Sequence, residues 1–512
     1  MHKTSVVMGL LLLLSCAAGV LAQTQPTTRP ATKPAPQKVD PKLSVTAHEM
    51  SVGGQILKYK ATAGYMPVKD ETGKEKANFF FVAYEKDRPD AVDASQRPVM
   101  FVFNGGPGAA AVWLHLGAVG PKRAKLANDL GDPPAPPYQL LDNDQTWLDV
   151  TDLVFIDPIG TGYSRPAPDE KGEQFYGVRE DVASVAEFIR LYITKHQRWL
   201  SPKFLAGESY GTTRAAGLSE YLAARCGITL NGVILISVVL DFQTIQAGET
   251  NDLPYVLYLP SYAATAWYHK TLPEELQRDL DKTIKEVKQF AVNEYMPALA
   301  RDGDMTDEQR RTLVEKLAWY TGLPPEFIDR SNLRVGPGEF RKMLLADKRL
   351  VTGRFDARIV GFDRRPAEIH ADYDPSLPGY LGAYSATFND YVRRQLGYEN
   401  DLAYEVLSDK VQPWNFGRGG GYLDVSRDLR SAMVQNPHLK VMFAAGYFDL
   451  ATPFFGTDYT VDHLNLSKDL RANVTQTYYP AGHMMYHHRV SLEKLKADVK
   501  AFVAGALGTS RT

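Results

Sequence analysis

At 512 residues the chain is longer than one simple core accommodates, so it holds either a large domain with an insertion or two domains. A hydrophobic content of 44% with 23% charged residues fits a water-soluble globular protein. The 58 basic residues against 60 acidic ones, a formal net charge of -2, leave no cationic excess and exclude nucleic acid as an expected partner.

Residues 1–22 read as a signal peptide: a basic start at His2 and Lys3, an apolar run from Val6 to Val20, and small residues ending in Val20-Leu21-Ala22. That run is too short for a convincing membrane span, so no integral span is expected and the protein is read as exported, periplasmic or secreted. A competing reading takes Leu13-Leu14-Ser15-Cys16 as a lipobox with an acylated Cys16, although Leu14 is uncommon at its position. Residues 23–43 are rich in Pro, Thr, Ala and Lys and predict a disordered linker. The other cysteine, Cys226, has no partner for an internal disulfide after signal removal and reads as a small buried hydrophobe on a helix.

Residues 44–241 read as the first part of an α/β core. Gln55 to Tyr59 and Asn78 to Tyr84 look like antiparallel strands. From Arg97 the pattern becomes apolar strands ending in glycine-rich turns. Val99 to Phe103 runs into Asn104-Gly105-Gly106-Pro107-Gly108, Leu153 to Asp157 into Pro158-Ile159-Gly160-Thr161-Gly162, and Lys203 to Ala206 into Gly207-Glu208-Ser209-Tyr210-Gly211. A helix is expected over Glu180 to Trp199, a second from near Thr212, then a buried strand Gly232 to Ile236. Continuous apolar strands with helical crossovers predict a mostly parallel sheet covered on both faces.

The rhythm stops over residues 242–436, which read as a mainly helical cap insertion above the carboxyl edge of the sheet. It carries an aromatic run, Tyr255 to Tyr268, and charged amphipathic helices at Leu272 to Phe290 and Asp307 to Tyr320. Residues 437–512 return to the core, with strands at Leu439 to Ala445 and Val474 to Tyr479 and a closing helix from Ser491.

Gly207-Glu208-Ser209-Tyr210-Gly211 is a G-x-S-x-G pentapeptide between a strand and a helix, the context of a nucleophile elbow. An α/β-hydrolase triad runs Ser, acid, His along the chain, with the last two on loops after late strands. Asp449, in Ala445-Gly446-Tyr447-Phe448-Asp449, and His483, in Tyr479-Pro480-Ala481-Gly482-His483, supply both in that order. Read singly, Asp449 is also a turn or cap carboxylate and His483 a surface loop histidine; their joint placement favours the triad.

Five blocks then resemble the serine carboxypeptidase family: Asn104 to Gly108, Asp157 to Ser164, Gly207 to Gly211, Gly446 to Gly456 and Ala481-Gly482-His483-Met484. The resemblance implies an α/β-hydrolase fold with Ser209 as nucleophile, His483 as general base and acid, and Asp449 as orienting carboxylate. It implies an oxyanion hole from the backbone amides of Gly106 and Tyr210, and recognition of a free α-carboxylate by Asn104, Gly105 and Glu208. The chain departs from the family twice there. The family's tryptophan two residues before the asparagine is Val102, and its second glutamate falls on Ala118. Without that second acid the shared-proton arrangement that binds a carboxylate at acid pH is lost. The family's disulfides are absent too.

Other signals are weaker. His483, His487 and His488 lack an acidic companion for a metal site, so no metal is expected. No dinucleotide or phosphate-loop pattern occurs, and no cofactor is expected. The aromatic run Tyr255 to Tyr268 reads as ordinary cap packing, with the lining of an apolar substrate pocket as the alternative. Asn465 and Asn473 stand in glycosylation sequons. The leading expectation is a serine-type carboxypeptidase acting on peptides through an acyl-enzyme. An esterase or acyltransferase using the same triad on a small ester, and a non-catalytic binding protein on the same fold, are the alternatives.

Overall fold

The computed structural model describes residues 43–88, 94–417 and 421–508, all within one compact unit spanning 39–512. The signal peptide, the lipobox at Cys16 and the linker up to residue 42 lie outside the described residues. Among those residues no helix is long and apolar enough to cross a membrane.

Nine strands form the main sheet: β1 (Ser44–Val52), β2 (Gln55–Lys69), β3 (Glu75–Lys86), β4 (Val99–Phe103), β5 (Asp152–Ile156), β6 (Lys203–Glu208), β7 (Gly232–Ile236), β8 (Lys440–Gly446) and β9 (Val474–Tyr479). A two-residue strand at Arg165–Pro166 pairs with β3 as a tenth. The spatial order is β1-β2-β3-β5-β4-β6-β7-β8-β9. The first three strands pair antiparallel and β3 meets β5 antiparallel; from β5 to β9 every pairing is parallel. The parallel strands are apolar along their length because helices cover both faces; all five residues of β4 are buried. Mostly parallel strands flanked by helices make this the α/β-hydrolase fold.

One face is covered by α1 (Val178–Lys195) and α2 (Tyr210–Cys226), whose Val185, Phe188, Ile189 and Leu218 pack with Phe101, Leu205 and Val233. Cys226 ends α2, half-buried against the same cluster. The stretch 242–436 divides its helices. α3 (Leu253–Tyr268), α4 (Leu280–Phe290) and α5 (Asp307–Thr321) share a separate core with Phe448, Leu450 and Phe454, beside the carboxyl ends of the strands. α6 (Pro378–Arg394) folds back instead onto the second face of the sheet, burying Tyr380, Tyr384, Phe388 and Tyr391 alongside the closing helix α7 (Arg489–Ala506). Helix Ser426–Gln435 joins α1 and α2 on the first face through Leu429 and Met433. The helix expected over Leu272 to Phe290 is interrupted: Asp279 caps α4 by accepting from Lys282 N at 3.1 Å, and only a short turn, Glu274–Gln277, precedes it.

Candidate functional site

The strand tips β4, β6, β8 and β9 converge on one cavity of about 360 Å³. Its lining includes Gly105, Gly106, Glu208, Ser209, Tyr210 and His483.

Ser209 follows β6 directly and has φ 60 and ψ -129, a left-handed conformation costly for a residue with a Cβ. Its N–H donates to Ile236 O at 2.9 Å, and α2 begins with the next residue, two residues earlier than the sequence periodicity suggests. A strained serine in a strand-to-helix turn is the backbone signature of a nucleophile elbow. The cost is carried by close packing: a Cβ on Gly105 would lie 2.3 Å from Tyr210 N and 2.5 Å from Gly211 N, so only glycine lets the β4 loop approach the elbow.

The fully buried Asp449 collects four donors at the tip of β8. Ala451 N and Thr452 N donate to Oδ1 at 2.7 and 2.9 Å, Thr452 Oγ1 donates to Oδ2 at 2.8 Å, and His483 Nδ1 lies 2.7 Å from Oδ2. Thr452 Oγ1 also lies 3.3 Å from His483 Nδ1, so it braces the pair. Burial disfavours the charged imidazolium, but the charge and hydrogen bond of Asp449, helped by Glu208, outweigh it, and the His483 pKa is raised. The His483 N–H donates to Phe355 O at 2.5 Å, and its ring lies 5.1 Å from the Phe355 ring. Ser209 Oγ and the imidazole line the same cavity without a hydrogen bond between them.

The N–H groups of Gly106 and Tyr210 have no acceptor among the described residues, and both residues line the cavity with Ser209, an arrangement able to receive an oxyanion. Asn104 also lines the cavity, with its Oδ1 accepting from Leu114 N at 3.0 Å and one Nδ2 hydrogen donated to Glu208 Oε1 at 3.1 Å. Arg214 holds the same loop, donating from Nη1 to Asn104 O at 2.6 Å and from Nε to Asp181 at 2.7 Å. Asp157 anchors the next turn through Ala111 N at 2.9 Å, and burial pushes its carboxyl up to about 7.

Glu208 is buried, and desolvation raises its pKa to about 7 against the favourable charge of His483. The Tyr486 hydroxyl faces this carboxyl and favours its ionised form, yet neither Oε2 nor that hydroxyl has a partner in hydrogen-bond geometry among the described residues. Ala118 is fully buried, where the resemblance would put a second acid. Of the aromatic run in α3, Tyr258 reaches the cavity and donates to Ala451 O at 3.2 Å, while Tyr262 is core. His487 bonds the Tyr384 hydroxyl at 2.8 Å and His488 bonds Ser491 Oγ at 2.8 Å, so both are occupied structurally. Among the described residues no cluster of His, Cys, Asp or Glu is arranged to hold a metal.

Sequence reasoning missed Thr452, Phe355, Tyr486 and Arg354. Only Thr452 carried a signal, its place three residues after Asp449, from which a hydroxyl can reach back to the same carboxylate.

The serine carboxypeptidase family model matches residues 52–496. Serine carboxypeptidase-like 13 of Arabidopsis thaliana is 24% identical over 215 residues, 40% of this chain and 46% of the relative. The pheromone-processing carboxypeptidase KEX1 of Saccharomyces cerevisiae is 32% identical over 160 residues, 29% of this chain and 20% of the relative. These alignments span less than half the length of each relative. Serine carboxypeptidase-like 29 of Arabidopsis thaliana aligns more widely, 21% identical over 79% of this chain and 73% of its own. The crystal structure of the prohormone-processing carboxypeptidase KEX1 from Saccharomyces cerevisiae superposes with a TM-score of 0.54 at 16% identity, covering 88% of this chain and 91% of that one, a likeness of fold.

Proposed function

Because this chain belongs to the serine carboxypeptidase family, we propose that it is a serine-type carboxypeptidase that removes C-terminal residues through an acyl-enzyme. In this reading Ser209 Oγ attacks the scissile carbonyl while its proton passes to His483 Nε2. The oxyanion is received by the amides of Gly106 and Tyr210, and the proton then moves to the departing amine as the C–N bond breaks. Water, deprotonated by His483, hydrolyses the acyl-enzyme and returns the serine. Asp449 keeps the imidazole oriented and favours its charged form. In this reading residues 1–22 act as an export signal and the reaction takes place outside the cytoplasm.

The observation that carries the reading is the strained Ser209 backbone in a cavity shared with an Asp449-paired His483 and two unoccupied amides. The test is turnover of an N-blocked dipeptide beside its C-terminal amide and its ester. A carboxypeptidase cleaves the free acid faster than the amide, and Ser209→Ala abolishes both. Equal turnover of acid and amide would contradict carboxylate recognition.

One observation favours a second reading, an esterase or acyltransferase on the same triad: the carboxyl of Glu208 has no acidic partner, because its expected companion is Ala118. Fast ester cleavage with negligible hydrolysis of the free-acid dipeptide would select it.

A further inference from the structure

Among the described residues that line the cavity, Arg354 is the one arginine or lysine, and it comes from the stretch between the two core segments. Its backbone is tied to both loops of the candidate triad. Leu450 N donates to Arg354 O at 3.0 Å, His483 N donates to the neighbouring Phe355 O, and Arg354 N donates to Asp374 Oδ1 at 2.9 Å. The position of this residue is therefore fixed relative to His483 rather than left to a free loop.

The side chain is not spent on structure. Arg341 and Arg358, in the same region, are committed to Asp374 at 3.8 Å and Asp356 at 2.6 Å. Arg354 is exposed, lies over the Phe355 ring at 5.3 Å, and forms no ion pair with any described carboxylate. Its charge is felt across the cavity, where it opposes protonation of His483. A cation held at the mouth of a reaction cavity without a counter-ion is complementary to an anionic group on what enters.

The second acid of the family pattern is missing from this chain, its place taken by Ala118. Gly117 has no Cβ, and one placed there would lie 2.4 Å from Tyr486 Cε2, so the Tyr486 ring packs against the residue preceding Ala118. Glu208 is left as a single buried carboxyl that meets an incoming carboxylate without repulsion only while protonated. A guanidinium has no such limit, because it stays charged at every physiological pH and offers a planar fork to two carboxylate oxygens.

We propose that Arg354 anchors the α-carboxylate of the substrate's departing C-terminal residue, so that the free chain end is read by a permanent cation from the insertion. This deepens the carboxypeptidase reading and rests on it. The experiment measures binding of a blocked dipeptide with a free C-terminus, and of its C-terminal amide, by calorimetry in a Ser209→Ala background that cannot turn over. Adding Arg354→Met is expected to weaken the free acid by about tenfold to a hundredfold while leaving the amide within about threefold. Arg354→Lys is expected to restore part of the loss. Equal weakening of acid and amide, or undiminished binding of the acid, overturns the proposal. Failure of the parent reading is separate: it appears as an unmodified chain that does not hydrolyse the free acid, whether or not it cleaves the ester, while the binding comparison still reports on Arg354.

Discussion

Glu208→Gln tests the electrostatics of the site through two readouts. The carboxyl is fully enclosed, and burial lifts its pKa from an ordinary 4.5 to about 7. In the unfolded chain it ionises near the ordinary value, whereas in the folded protein it stays neutral until pH reaches about 7. Its contribution to stability is therefore complete below about pH 4.5 and is lost as pH rises to about 7, at 1.36 kcal/mol per unit, about 3 kcal/mol at most. Glutamine keeps an acceptor for Asn104 Nδ2 and cannot ionise. Urea unfolding of both proteins across that range should show the wild type losing up to about 3 kcal/mol relative to the variant. The kcat/KM profile gives the second readout. The Glu208 anion helps raise the His483 pKa, so the variant's acidic limb should move to lower pH. A stability difference independent of pH, together with an unmoved acidic limb, would refute the assignment of Glu208 as a buried carboxyl coupled to His483.

Three further substitutions test separate parts of the account. Asp449→Asn should keep the fold but lower kcat by about 10³-fold to 10⁴-fold, because an amide leaves His483 Nδ1 in the wrong hydrogen-bond pairing; a loss under about tenfold would remove Asp449 from its role. Gly105→Ala drives a Cβ into the Tyr210 and Gly211 amides, so kcat should fall by about 10²-fold to 10³-fold with little change in KM, with thermal melting confirming a folded variant. Normal kcat there would show that the Tyr210 amide does not serve the reaction. Arg214→Met strands the buried Asp181 and should cost about 3–5 kcal/mol in urea unfolding, with Asp181→Asn added to it recovering part; a cost below about 1 kcal/mol would contradict a tightly enclosed pair.

The sequence made the parallel centre of the sheet legible because strands enclosed on both faces must be apolar throughout, as in Val99 to Phe103. The candidate nucleophile was equally visible, since strand, glycine, serine and helix follow one another without a gap. The antiparallel front was underread: β2 and β3 run well beyond the alternating stretches at Gln55 to Tyr59 and Asn78 to Tyr84, because later residues such as Ala63 and Tyr65 are buried without strict alternation. Helical periodicity identified apolar faces in the 242–436 stretch but not what covers them. Tyr384 and Phe388 mark α6 as amphipathic, yet nothing local says that it packs on the sheet rather than with α3. The same limit hid Arg354 and Phe355. Their importance comes from backbone hydrogen bonds to Leu450 and His483, contacts made across a long separation in the chain by carbonyls every residue possesses.

The proposed triad makes Ser209 an activated nucleophile. Incubation of the folded protein with a fluorophosphonate, followed by peptide mass spectrometry, tests it most directly. One adduct is expected, on the peptide containing Ser209, absent from Ser209→Ala and strongly slowed in His483→Ala. Folded protein that takes up no label, or takes it up on another residue, contradicts it.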